Sequence, residues 1–318
     1  MWSPPCALGL MIPIQWVDLH TARIVALVVS FVIIFLCADW LWQFYGGDPK
    51  KRWVAGLLAF SFAPTLACLG AGQMAVLLLA GTTLFLYFSQ QRQYLLAGAS
   101  LLLVLTKPHI LYLIWVAILF WTDKKIRWQL LLGAAIATTI ATALVSIFEP
   151  KLLSEYLQAT KGAPMLSRLA PGPGGLLRMA FGWDRYWLQF MPAFLGTAAA
   201  IVMPRKWRTM PTLLTLSVAT APYGWIFDQT ILLPVLMWCA IRIGREERGT
   251  AIRWTASYIA VNAALLAVMA VKDLLQPIYD PVVLLWLVLY VTVARVTTAE
   301  DVGAEWNEIA ANRYAVDA

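Results

Sequence analysis

Long apolar runs, separated by short polar or basic stretches, make up most of this 318-residue sequence. Four of the runs, at residues 22–44, 126–148, 250–271 and 282–296, reach or approach the length of about 20 residues that a membrane-spanning helix needs. Because lipid offers no hydrogen-bond partner to the backbone, apolar runs of this length indicate helices. We therefore expect an all-α fold, a polytopic transmembrane helical bundle.

Other apolar runs are interrupted midway by glycine, proline or polar residues. The interruptions lie at residues 70–73 (GAGQ), 106–109 (TKPH) and 222–229 (PYGWIFDQ). They predict several broken or short helices. Irregular backbone at membrane depth is tolerated only against protein or a wet cavity, so we expect the interruptions to share one polar cavity. The apolar arms that flank them are 53–69 and 74–89, 94–105 and 110–121, and 210–221 and 230–241.

The charged residues are few and unevenly placed. They make up 13% of the chain, against 61% hydrophobic residues, which is about half the charge of a soluble domain. The net charge of +7 does not indicate nucleic acid as a partner, because the bases are scattered over short loops. The positive-inside rule places these loops in the cytoplasm and the three interruptions outside, in a multi-pass protein of the cell membrane. The basic loops are Lys50 to Arg52, Arg92, Lys124 to Arg127, Arg205 to Arg208, Arg242 to Arg253, and Arg295.

The domain organisation follows from the same pattern. Residues 1–296 form the expected multi-pass membrane domain, and residues 297–318 form a cytoplasmic tail with a short helix around Trp306. Residues 149–186 are too polar and too rich in proline and glycine for a span, and they are expected to be an outer loop. Helical spacing over residues 151–161 predicts a helix that lies in the membrane interface, and residues 171–175 (PGPGG) predict a flexible loop. The four cysteines lie far apart and are interpreted as packing residues.

Two of the interruptions carry charged residues. Lys107 lies between two apolar arms, where a cation is costly unless it is paired or binds an anion such as phosphate. The alternatives are a lysine that reaches the interface and one that pairs with Asp228. His109 is expected to donate to phosphate or to cap the second arm. Asp228 is expected to act as a base, bind a sugar hydroxyl or neutralise Lys107, and the neighbouring Gln229 belongs to the same candidate site.

Three further side chains are candidates for substrate binding. Gln73 follows two glycines and is expected either to bind a ligand or to satisfy the backbone of the broken helix. Arg168 and Arg178 flank the proline-glycine run and are expected to clamp a diphosphate or lipid phosphate, or only to contact lipid headgroups.

The ordered set of motifs resembles glycosyltransferase family 87, whose members are bacterial mannosyltransferase-like membrane proteins of the GT-C superfamily. The set consists of Trp2-Ser3-Pro4-Pro5, the interruptions at 70–73 and 106–109, and residues 222–225 with Asp228-Gln229. The resemblance implies a GT-C-like fold and transfer of a hexose, typically mannose, from a polyprenyl-phosphate carrier to a lipid or glycan acceptor on the outer face. It implies an inverting displacement without a cofactor or metal. It also places Lys107 and His109 near the lipid phosphate and Gln73 in the same cavity.

One departure from the family pattern concerns the catalytic carboxylate. The family usually has a helix and an outer loop with the catalytic aspartate before the element matched by Pro4-Pro5, which places that residue upstream of Met1. Asp18 follows the element and does not match. The expectation is an N-terminally truncated record, with an inactive relative as an alternative and Asp228 as a weak substitute for the base. The competing functions are a transporter or lipid flippase, which would need internal repeats, and a non-catalytic membrane subunit.

Overall fold

The computed structural model describes residues 4–9, 12, 16–162, 172–270 and 281–296, and no strand occurs among them. This confirms the all-α fold. The chain forms fifteen α-helices in these ranges, and short 3-10 helices lie between some of them. The helices are α1 (Pro5–Gly9), α2 (Leu19–Phe44), α3 (Arg52–Ser61), α4 (Ala63–Ala71), α5 (Ala75–Gln90), α6 (Tyr94–Val104), α7 (Tyr112–Trp121), α8 (Lys124–Phe148), α9 (Leu152–Gly162), α10 (Pro173–Phe181), α11 (Met191–Val202), α12 (Met210–Thr220), α13 (Leu233–Ile243), α14 (Arg248–Ala270) and α15 (Pro281–Val296).

Within the described residues, four helical segments are long and apolar enough to cross a membrane. They are α2, α8, α14 and the continuous segment Ile226–Ile243, in which a 3-10 helix leads into α13. The pair Pro49–Ser61 and Ala63–Ala71 makes a fifth span if it is counted as one bent helix. The protein is therefore a multi-pass membrane protein.

The segment Ile226–Ile243 is the centre of the bundle. The best apolar window of this segment is 83% buried, whereas the corresponding windows of α2 and α14 are each 22% buried. The outer helices therefore turn apolar faces towards lipid, while most residues of α12 and of α13 are buried.

Helices α6 and α8 approach each other closely at two glycines. A Cβ added to Gly98 would lie 2.1 Å from the carbonyl oxygen of Leu130, and one added to Gly133 would lie 2.0 Å from that of Leu95. Small residues at such crossings let helix backbones touch, which is how membrane helices associate without a hydrophobic driving force. This contact fixes α6, the helix that leads to Lys107, against the long helix α8.

Two boundaries differ from the sequence expectation. The arm expected over 53–69 is broken at Phe62, with a bend of 61° between α3 and α4, because Pro64 lies in the first turn of α4 and cannot continue the helix before it. The interruption expected over 222–229 is shorter than predicted. Residues Ile226–Leu232 form a 3-10 helix, so that Asp228 and Gln229 lie on a helical turn.

The segment after α8 is partly as expected. The predicted helix over 151–161 is present as α9, while its position in the membrane interface stays a prediction. The expectation of a flexible loop over 171–175 is wrong from Pro173 onwards, because α10 begins there with a proline at a position that favours helix initiation. Arg168 and the expected helix around Trp306 lie outside the described residues. All four cysteines are buried and free, in agreement with a packing role.

Candidate functional site

The break between α6 and α7 lies against α12, and one serine connects the two. The hydroxyl of Ser217 donates to the carbonyl oxygen of Ile110 at 2.8 Å and accepts from the N–H of Leu113 at 3.3 Å. A break in a membrane helix exposes backbone groups that need partners. Ser217 supplies a hydrogen-bond partner on each side of the start of α7. This fixes the loop of residues 105–111 that carries Lys107.

Lys107 forms a direct ion pair with Asp228, across 121 positions of sequence. The distance from Lys107 Nζ to Asp228 Oδ1 is 2.5 Å. The other carboxylate oxygen accepts from the backbone N–H of Trp225 at 3.0 Å, and Lys107 Nζ also lies 4.7 Å from the centroid of the Phe227 ring. The pairing that the sequence left open as an alternative is therefore present.

The two partners of the ion pair differ in access. The side chain of Asp228 is 2% exposed, whereas that of Lys107 is 16% exposed. Both carboxylate oxygens of Asp228 already accept hydrogen bonds, so this group is not placed as a free base. An ammonium has three donors, and the geometry shows one of those of Lys107 directed to Asp228. The cation can therefore receive an anionic ligand while it keeps its structural partner.

His109 lies beside this pair but does not cap α7. Its ring stacks on that of Tyr223, with centroids 3.8 Å apart and planes at 27°. Helix α7 begins after Leu111 without a side-chain cap, and Ser217 binds the N–H of Leu113 instead. The expectation of a histidine cap is therefore wrong. The stacking holds the imidazole half-buried against the loop that precedes Asp228.

The turn between α4 and α5 presents Gln73 near the same place. Gly72 has a φ of +59°, a conformation that glycine adopts without strain, and it lets the N–H of Gln73 bond back to the carbonyl of Cys68 at 3.0 Å. Helices α4 and α5, which flank this turn, both pack against the 3-10 helix that carries Asp228. The side-chain amide of Gln73 is half-buried and has no hydrogen bond to another described residue, so the geometry leaves it able to bind a ligand.

Gln229 faces a small cavity beside Asp228. The amide oxygen of Gln229 accepts from the indole N–H of Trp286 at 3.1 Å. A cavity of about 20 Å³ is lined by Asp228, Gln229, Trp225 and Gly224, among others. This volume accommodates about one water molecule and is far too small for a hexose. A sugar-sized cavity shared by the candidate residues stays a prediction.

Arg178 is buried in protein contacts rather than presented at a surface. Its guanidinium donates to the carbonyl of Trp183 at 2.8 and 3.2 Å and to the side-chain oxygen of Gln189 at 3.3 Å. The Trp183 and Tyr186 rings lie within cation–π distance of it. The amide of Gln189 donates to the carbonyl of Pro222. Arg178 thus ties the segment after α9 to the loop beside the ion pair, and its role as a phosphate clamp stays a prediction.

The structure brings four of the predicted residues together and adds others. Lys107 and Asp228 touch, and His109 and Gln73 lie on loops beside them. The residues that the sequence analysis did not single out are mainly aromatic or act through their backbone. For Tyr223, Trp225 and Phe227, the signal was the aromatic density of the segment 222–227, which was noted only as an interruption. These residues are Ser217, Tyr223, Trp225, Phe227, Gln189 and Trp286.

Comparison with known families gives an independent result. Residues 3–268 match the sequence model of glycosyltransferase family 87. The chain belongs to this family. The match covers all three helix breaks and the Lys107–Asp228 pair, so the protein is a membrane glycosyltransferase with its candidate site inside the family region. No curated protein and no solved structure matches the chain.

Proposed function

We propose that the protein transfers a hexose, most simply mannose, from a polyprenyl-phosphate carrier to a lipid or glycan acceptor at the outer face of the cell membrane. The observation that carries the proposal is the partly exposed Lys107, held by a buried carboxylate within the broken helices of a family 87 glycosyltransferase. A GT-C-like arrangement of the bundle belongs to the same proposal.

The role of Lys107 is to receive the phosphate of the donor. When the acceptor hydroxyl attacks the anomeric carbon, the bond from that carbon to the phosphate oxygen breaks, and the phosphate leaves with the electron pair. A positioned cation stabilises the charge that develops on the leaving oxygen. Asp228 is a positioning residue in this scheme, because its carboxylate holds the Lys107 ammonium in place.

The other candidates complete the donor site. The His109 ring lies next to Lys107 and offers an N–H to the same phosphate, while the amide of Gln73 faces the sugar. The proton of the acceptor hydroxyl passes to a carboxylate that acts as general base. We do not assign that role to Asp228, because the Trp225 N–H and Lys107 occupy both of its oxygens.

The test is incorporation of labelled mannose from polyprenyl-phosphate-mannose into membrane lipid or glycan. Membranes that contain the protein should incorporate label, and Lys107→Ala should abolish this incorporation. Lys107→Arg should retain part of it, because arginine keeps the charge but changes its geometry.

The experiment includes a control variant and a comparison of donor sugars. Lys125→Ala removes an exposed cation at the start of α8 and should leave incorporation unchanged. Donors that carry other hexoses on the same polyprenyl phosphate establish the sugar. If the inserted protein uses a sugar nucleotide and no polyprenyl-phosphate sugar, the proposed donor is wrong. If Lys107→Ala transfers as well as the unchanged protein, the proposed site is wrong.

A further inference from the structure

A second, larger cavity lies at the other end of the bundle, between α3, α13 and α14. Its volume is about 600 Å³, within the usual range of ligand pockets. It is lined by apolar side chains such as Leu57, Ile243, Ile259 and Leu266. About 24 Å of helix separates Asp228 from Ile243 at the mouth of this groove, and no residue that lines the groove also lines the cavity beside Asp228.

The groove has the length and position of a lipid tail. On α14 its lining residues extend from Ala251 to Leu266, about 22 Å of helix, which is more than half of the roughly 30 Å thickness of a bilayer core. Because α14 is exposed along most of its length and crosses the membrane, the groove opens sideways to lipid. It begins where α3 and α14 begin and α13 ends.

That beginning is positively charged, and we call it the basic mouth. Residues 48–53 and 242–253 together contain seven bases and three acids. Among the bases, Lys51, Arg245, Arg248 and Arg253 are exposed. Clusters of this kind at a membrane surface attract anionic headgroups.

One polar group that lines the groove has no partner in the described protein. Trp254 is 7% exposed, and its indole N–H is buried without an acceptor among the described residues. The other buried polar groups along the groove are satisfied: the hydroxyl of Tyr258 bonds to Ser61 and Leu58, and the amide of Asn262 bonds to the Ala63 N–H. A buried donor without an acceptor is unfavourable, which makes this N–H a candidate donor to a molecule that enters the groove.

We propose that the groove binds an anionic phospholipid of the leaflet at the basic mouth. One acyl chain lies along Leu57, Ile259 and Leu266, an ester carbonyl accepts from the Trp254 N–H, and the phosphate headgroup lies against Lys51 and Arg248. Trp254 lies six residues into α14, about 9 Å from its start, which is the depth of the ester region below a headgroup at the mouth. The proposed lipid would bind in a region that has no role in the proposed sugar transfer.

The matched alanines Ala263 and Ala264 give the test. Both are exposed on α14, but only Ala263 lines the groove. A photo-reactive benzoylphenylalanine at each position, in nanodiscs of phosphatidylcholine with phosphatidylglycerol, should yield a lipid adduct by mass spectrometry. We expect several-fold more phosphatidylglycerol adduct from position 263 than from position 264. Equal yields at the two positions, or adducts to protein at position 263, would overturn the proposal.

Retention of lipid by the purified protein gives a second readout, measured by native mass spectrometry. Arg248→Gln should lower the preference for phosphatidylglycerol over phosphatidylcholine by about fivefold, whereas Lys125→Gln should leave it unchanged. Trp254→Phe should reduce retention of both lipids, because the ring remains and the donor is lost. An unchanged lipid preference in Arg248→Gln together with unchanged retention in Trp254→Phe would exclude the site. Mannose transfer is scored separately, so failure of the donor proposal leaves this result intact.

Discussion

Two of the helix breaks expose backbone groups that need hydrogen-bond partners, and the two breaks satisfy these groups in different ways. At the break between α3 and α4, the amide oxygen of Asn262 accepts from the Ala63 N–H at 2.6 Å, and the hydroxyl of Thr230 donates to the Pro64 carbonyl at 3.0 Å. All the side chains that satisfy the backbone at this break are neutral. At the break between α6 and α7, Ser217 satisfies the backbone, and an ion pair is present in addition.

The difference shows which groups the fold needs. A neutral side chain is enough to satisfy a broken membrane helix, so Lys107 and Asp228 are not required for the backbone of α6 and α7. Buried ion pairs seldom add stability over apolar replacements of similar size. This difference supports the proposal that the charges at the second break serve the donor site.

The largest effect should come from removing one member of the pair. Lys107→Ala leaves the 2%-exposed carboxylate of Asp228 without its cation, and we expect a loss of about 3–5 kcal/mol in the free energy of unfolding together with loss of sugar transfer. Unfolding in detergent, followed by tryptophan fluorescence, measures the loss of stability. Incorporation of label measures the loss of sugar transfer.

The paired replacement separates stability from function. Lys107→Met combined with Asp228→Asn removes both charges, so most of the stability should return while transfer stays absent. Recovery of transfer in the double variant would show that the pair is structural only.

A smaller effect is expected at the neutral break. Asn262→Leu leaves the Ala63 N–H without an acceptor at the bend, which should cost about 1–3 kcal/mol of unfolding free energy. Transfer per folded molecule should stay unchanged. Ala264→Leu is the control on the same helix. A loss of transfer beyond the loss of folded protein would mean that the two breaks do not differ in function.

The loss of unfolding free energy in Ser217→Ala should lie near the lower end of the range expected for Asn262→Leu. It removes the partner of the Ile110 carbonyl and of the Leu113 N–H, so the unfolding free energy should fall by about 1–2 kcal/mol. Because Ser217 fixes the loop that carries Lys107, transfer should decrease too, but less than in Lys107→Ala. Unchanged transfer would show that the loop keeps its position without this serine.

The smallest effect should follow Thr230→Val. The shape of the side chain is kept, and only the bonds from its hydroxyl to the Pro64 and Phe227 carbonyls are lost, so about 1 kcal/mol of stability is expected to disappear. Chemical denaturation compared with the unchanged protein measures it. A loss as large as that of Asn262→Leu would show that the carbonyl side of the bend carries as much of the stability as the amide side.

The sequence predicted the breaks better than their partners. Gly72 and Pro108 marked the turns at 70–73 and 106–109, because Gly72 adopts a left-handed backbone conformation and proline lacks the N–H that a continuing helix needs. The break at Phe62 was missed although Pro64 marks it, since apolar residues on both sides hid the interruption.

Side-chain pairing over long distances is a different matter. The contact of Lys107 with Asp228 was one of several possibilities, because nothing local to either residue chooses the partner. The burial of Arg178 depends on Gln189 and on the carbonyl of Trp183, which only the folded chain brings within reach. Tertiary packing decides such contacts, and the sequence pattern names only the candidates.

The 121 positions between Lys107 and Asp228 also impose an order of events during synthesis. At 5–20 residues per second, a ribosome takes roughly 6–24 s to reach Asp228 after it has made Lys107. During this interval the newly made α6–α7 hairpin holds a cation with no counter-charge. We therefore expect the hairpin to stay in the translocation channel or at the water interface until the nascent chain delivers Ile226–Ile243, because an unpaired cation at membrane depth is unfavourable.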